Sequence, residues 1–118
     1  MNPNRQLIDA QTRLVIVPKI RSASSILEKG IGLIGQKPLR KGEGLWLDPC
    51  RGGIHTMGLK YPIDVVCFNR EFEVVKITAN LAPNRIFPPI PGGQIIMELS
   101  AGEAERVGLK VGRRCLLS

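Results

Sequence analysis

Apolar positions in this chain cluster in short, strand-length runs separated by glycine and proline, and strands dominate over short helices. Residues 13–20, Arg-Leu-Val-Ile-Val-Pro-Lys-Ile, are β-branched and short and read as a strand. Pro18 lacks an amide hydrogen and pushes that strand towards an edge or an end. Residues 44–48 read as a second short strand, closed by Asp48-Pro49. Residues 59–68 form the most convincing strand, with the buried part after Pro62. Asn69-Arg70-Glu71 predicts a hairpin turn into a strand over 72–79. Residues 94–99 and 114–117 supply two further strands.

Two helices are expected, both short. Ser25 followed by Glu28, and Ser100 followed by Glu103, have capping-box spacing. The first helix ends near Gly30 and the second, over about 101–107, at Gly108. Residues 49–58 and 83–93, rich in glycine and proline, read as loops. The second is long enough to suggest function, since binding groups concentrate on loops. The fold class that fits is mainly β: a compact β-barrel-like domain with two short helices. Residues 1–11 are expected to form an N-terminal tail and residues 12–118 a single domain.

Composition narrows the function classes. At 118 residues, 43% of them hydrophobic, the chain is one domain's worth. It is too short for a TIM barrel, which needs about 250 residues. Its apolar share argues against disorder. No apolar run approaches the roughly 20 residues that span a bilayer, so no membrane partner is expected. Met1–Asp9 carries no apolar export segment, which points to the cytoplasm.

The net charge is +7, and it is uneven. Residues 1–60 hold ten basic and four acidic groups, against seven and six in the remainder. A basic half suits an anionic partner, or simply a solvated surface. Nucleic acid is weakly supported, because the few aromatic residues are needed for a core rather than for base stacking. The three cysteines, Cys50, Cys67 and Cys115, form no CxxC pair. They predict neither a disulfide framework nor a metal site, and no cofactor is implied.

Candidate chemistry is sparse. His55, the only histidine, and Asp64 could meet as an acid–base pair. The alternative is that Asp64 anchors a loop through backbone N–H groups while His55 only packs or hydrogen-bonds. Cys50 beside Arg51, with His55 five residues on, could form a thiolate–imidazole pair or be an unreactive thiol. Arg51, Arg85, Arg113 and Arg114 are candidates for holding carboxylate or phosphate, or solvated arginines. Gly30-Ile-Gly32-Leu-Ile-Gly35 has dinucleotide-fingerprint spacing, but a helix precedes it and a Lys-Pro loop follows, so it is not read as one.

Three segments together carry a family resemblance. They are Gly30-Ile-Gly32-Leu to Gly44-Leu-Trp-Leu, then His55-Thr-Met-Gly-Leu-Lys-Tyr-Pro62-Ile-Asp64-Val-Val. The third is Glu98-Leu-Ser-Ala-Gly102-Glu-Ala-Glu-Arg106-Val-Gly108-Leu-Lys-Val-Gly112. The chain resembles the small bacterial and archaeal proteins grouped as domain of unknown function 192, over roughly residues 12–117. At the position after Gly112, where the family often has an acidic residue, this chain has Arg113. The resemblance implies a compact β-barrel-like fold and no activity. It marks His55, Thr56, Gly58, Pro62 and Asp64 as a shared surface.

The reading that follows is a binding module for a small polar or anionic ligand or a protein partner. Its groove would lie near the 49–58 and 83–93 loops, with Arg51, His55, Thr56, Asp64 and Arg85 as ligand contacts. The alternatives are a small hydrolase or transferase using His55, Asp64 and Cys50, and a nonspecific nucleic-acid binder.

Overall fold

The computed structural model describes residues 5–23, 37–50 and 53–118. Nine strands and one helix appear there, in the order β1 (Arg5–Asp9), β2 (Val15–Ala23), β3 (Glu43–Leu47), β4 (Ile54–His55), β5 (Ile63–Phe68), β6 (Val74–Leu81), β7 (Ile86–Phe87), β8 (Ile95–Ser100), α1 (Glu103–Arg106) and β9 (Cys115–Leu117). Seven strands make one sheet, ordered β6-β5-β8-β3-β2-β1-β9, and β4 pairs with β7 apart from it. Within the large sheet β2 and β3 run parallel, and every other neighbouring pair is antiparallel.

The mainly β expectation holds, and three details differ. Arg5–Asp9, expected in a tail, is a strand between β2 and β9, with Leu7 fully buried. Two apolar side chains, Leu7 and Ile8, in a segment otherwise polar were too weak a pattern to show this. Pro18 does not put β2 at an edge: β2 lies inside the sheet, between β3 and β1. It tolerates proline because the β1 pairing slips register between Arg5 and Leu7, and β3 joins only from Lys19 onward.

The sheet is also not a closed barrel. No ladder joins its outer strands β6 and β9. Their approach is local: Cys115 N–H donates to the Phe72 carbonyl and Val74 N–H to the Arg113 carbonyl, both at 2.9 Å. The expected helix around 25–30 lies outside the described residues. Of the second, only Glu103–Arg106 is helical.

All six residues of β5 and five of the six in β8 are buried, so both sheet faces are covered. That is why these strands read as continuous apolar runs rather than as alternation. On one face Val66, Phe68, Met97, Leu99, Ile20 and Leu7 form the larger core with Trp46. The Trp46 ring centre lies 5.1 Å from that of Phe68 and 5.7 Å from that of Phe72. Gly44 is needed here, because a Cβ would sit 3.0 Å from Ile20 and 3.1 Å from Leu99. On the other face Ile63, Val65, Cys67, Ile96, Leu45 and Leu47 pack beneath Leu59 and Phe87 from the connecting loops.

Candidate functional site

Asp64 is fully buried in β5, where its register partner is Leu99 on the larger-core face. Its Oδ1 accepts the Asn80 N–H at 2.8 Å. Its Oδ2 accepts the N–H groups of Gly102 at 3.1 Å and Ala104 at 2.9 Å. This carboxylate caps α1, whose N-cap residue Gly102 is left-handed and makes no side-chain cap bond. The Ser100–Glu103 capping box therefore does not form. A capping serine or threonine needs an extended backbone, and the cap position has passed to a glycine. The acceptor comes instead from a neighbouring strand.

His55 is exposed on β4, and its Nδ1 accepts the Met57 N–H at 3.2 Å. The Asp64 carboxylate is spent on backbone donors inside the fold. The two residues are thus not assembled into an acid–base pair. Cys50 is half-buried, and its thiol donates to the Gly53 carbonyl at 3.6 Å. Arg51 lies outside the described residues. Burial pushes the Cys67 thiol up and the Cys115 thiol to about 11, so both stay protonated at neutral pH.

Thr56 and Arg85 do meet, but to join two loops. The buried Thr56 hydroxyl donates to the Ala82 carbonyl at 2.7 Å and accepts the Arg85 N–H at 2.8 Å. Thr56 N–H donates to the Arg85 carbonyl at 2.8 Å, and Asn84 N–H to the Thr56 carbonyl at 2.9 Å. Beyond them β4 pairs with β7, Ile54 opposite Phe87. Gly53 closes the junction, since a Cβ there would lie 2.3 Å from the Phe87 carbonyl oxygen. The two loops expected to flank a groove are fastened to each other.

An open groove of about 460 Å³ lies elsewhere. Leu14, Val15, Pro18 and Val107 give it apolar walls, and Lys41, Arg106 and Arg113 bring charge to it. Leu14 is 68% exposed and Val15 49%. Both arginines are held in place. Arg106 meets Glu103 through Nε at 2.5 Å and Nη2 at 2.8 Å. Glu103 also accepts the Gly42 N–H at 2.9 Å, tying α1 to the turn before β3.

Arg113 Nε donates to Asp9 at 2.7 Å and its Nη1 to the Gly108 carbonyl at 2.8 Å. Thr12 N–H, then Arg113, hold the Asp9 carboxyl well below the usual carboxylate range. Arg106 likewise lowers Glu103. Among the described residues no hydrogen bond uses Lys41 Nζ, Arg106 Nη1 or Arg113 Nη2. Arg113 was legible in the sequence as an anion candidate. Arg106 and Lys41 were hidden in an ordinary helix and a modest basic cluster.

A third missed residue is Glu98. It is 4% exposed, its Oε1 has no hydrogen-bond partner among the described residues, and burial lifts its carboxyl to about 7. Arg21, Leu45, Glu98 and Val65 stand in register across β2, β3, β8 and β5. Arg21 Nε is also buried, with no partner among the described residues. Burial, then the nearby Glu98 carboxyl, raises the Tyr61 phenol. The sequence signal was an acidic residue inside the apolar run 94–99.

A family model described as Uncharacterized ACR matches residues 7–117. No curated protein matches. A crystal structure of a protein of unknown function from Novosphingobium aromaticivorans superposes with a TM-score of 0.78 at 23% identity, covering 95% of this chain and 82% of that one. A Sinorhizobium meliloti protein described as a "putative transcription regulator" gives 0.77 at 20% identity, covering 95% and 90%. At such identities the likeness is one of fold. No helix among the described residues is long and apolar enough to cross a membrane.

Proposed function

The chain belongs to the DUF192 family of uncharacterized proteins, and we propose that it is a non-enzymatic binding module for an anionic, partly apolar ligand. The observation that carries this is the groove itself. Lys41, Arg106 and Arg113 converge there on a surface that also exposes Leu14 and Val15. A guanidinium already fixed by a carboxylate loses little freedom on binding, so its outward N–H groups meet an acceptor at reduced entropic cost. The apolar walls add burial that a bare inorganic anion cannot use.

Butyrate carries both features, a carboxylate and a short alkyl chain. Titrated against the protein, it should raise the melting temperature in a saturable way, since a ligand bound only to the folded state stabilises it. Lys41→Glu should remove most of that rise. Equal rises in the two proteins would count against the groove. A short DNA duplex whose affinity falls steeply with salt would replace this reading with nucleic-acid binding.

A further inference from the structure

We infer that the turn leading into β3, with the neighbouring Lys19 of β2, is a docking surface for a flexible acidic segment of a partner protein. This goes beyond the groove reading: its cations are Lys19, Lys37 and Arg40, none of which lines the groove.

The fold makes the surface more basic than the composition. Of the ten acidic residues, Asp9, Asp64, Glu98 and Glu103 are buried, whereas no described lysine or arginine is. Asp9 and Glu103 are answered by Arg113 and Arg106, and Asp64 by backbone N–H groups. An approaching molecule therefore meets mostly cations. They gather at this turn. Lys19, Lys37 and Arg40 are all exposed, and among the described residues their side chains make no hydrogen bond or ion pair. The acidic member of the turn is Glu43, the register partner of Lys19. Its Oε1 already accepts the Arg40 N–H at 2.8 Å.

The turn is fixed from two sides. Lys19 N–H donates to the Gly42 carbonyl at 2.9 Å, and Glu43 N–H to the Arg40 carbonyl at 3.1 Å. Gly42 N–H donates to Glu103 Oε1 at 2.9 Å. Its backbone thus needs little ordering on binding.

Glu43 selects the occupant. Register partners on neighbouring strands stand about 4.8 Å apart, so a continuous phosphate backbone laid on Lys19 must also meet the Glu43 carboxylate. Carboxylates carried on separate side chains can straddle it. Lysine presents a compact charge on a flexible stem, which suits such single carboxylates. Among the described residues no helix longer than α1 is available to enter a DNA groove.

The test uses the full chain, the peptide Ac-Glu-Gly-Glu-Gly-Glu-Gly-Glu-NH2, its lysine counterpart and a short DNA duplex. Amide NMR titrations are run at about 50 mM salt, where exposed charges are weakly screened. The acidic peptide should give saturable shifts at residue 19 and residues 37–43. Two variants then lose equal charge at exposed positions. Lys19→Gln/Lys37→Gln/Arg40→Gln should weaken the acidic peptide by roughly tenfold or more, and Arg70→Gln/Lys76→Gln/Lys110→Gln by less than about threefold. Butyrate affinity should be the same in both, so the groove reading stands or falls separately. Equal weakening by the two variants would reduce the effect to net charge and overturn the surface. Equal binding of the lysine peptide, or no saturable shift with the acidic one, would also overturn it. Tighter binding of the duplex at the same residues would overturn the choice of a protein partner.

Discussion

The loop pair around Thr56 and the groove around Lys41 invert what their sequences suggest. The first has the only histidine, a run of prolines and five glycines. In the structure the Thr56 hydroxyl and the backbone around it are consumed internally, Thr56 bonding to Ala82, Asn84 and Arg85. The second is made of ordinary residues, yet it stays open, and among the described residues Lys41 Nζ, Arg106 Nη1 and Arg113 Nη2 make no hydrogen bond. A segment's capacity to bind is set by which of its groups the fold leaves unspent. Residue types that look like chemistry do not decide it.

The contrast can be broken most violently at Asp64. Asp64→Ala would remove the acceptor of the Asn80, Gly102 and Ala104 N–H groups, the last of them buried. It should cost on the order of 3 kcal/mol or more in urea unfolding. A folded, stable Asp64→Ala protein would show that this carboxylate is free for other work.

Glu98 comes next. Burial favours its neutral form, so its carboxyl stands at about 7 in the fold against 4.5 as its ordinary value. Below pH 4.5 both the folded and the unfolded chain hold the proton, and no penalty arises. Between about 4.5 and 7 the unfolded chain releases it first, and stability falls by roughly 1.4 kcal/mol per pH unit, about 3 kcal/mol in all. Above 7 the loss is complete. In Glu98→Gln this fall should vanish from the pH dependence of unfolding, whereas a persistent fall would assign it to other groups.

Thr56→Val sharpens the comparison. It leaves the Arg85 N–H and the Ala82 carbonyl without the hydroxyl and should cost about 2 kcal/mol, with butyrate affinity unchanged when measured on the folded protein. Lys41→Glu should do the reverse, staying within about 0.5 kcal/mol of the parent while butyrate affinity drops at least tenfold. His55→Ala should be smallest of all, within about 0.5 kcal/mol and silent in binding. A binding loss in His55→Ala as large as that in Lys41→Glu would restore the loop as the site.

Much of the fold was legible because apolar runs report burial directly. Residues 63–68 and 95–99 are continuous apolar stretches but for Asp64 and Glu98, and they became the buried centre of the sheet. The Asn69 turn followed from a side chain able to serve its own backbone, and its Oδ1 accepts from Glu71 and Glu73, both at 3.0 Å. Arg5–Asp9 was missed because edge pairing with β9 comes from the far end of the chain.

The site was less legible. Asp64 and Thr56 stood out in the sequence, but their partners lie 16 to 40 residues away, which local pattern does not reveal. Whether a carboxylate is capped or stranded depends on strand register. Asp64 and Glu98 lie on neighbouring strands and opposite faces, and only the former finds donors. The groove was invisible for a related reason: it exists because β3 begins four residues too late to cover the start of β2.

The most direct test is an amide NMR map of a butyrate titration. The account predicts saturable shifts confined to residues 14–18, 41–42, 106–107 and 113. Saturable shifts centred instead on residues 54–58 and 82–87, with the groove silent, would contradict it.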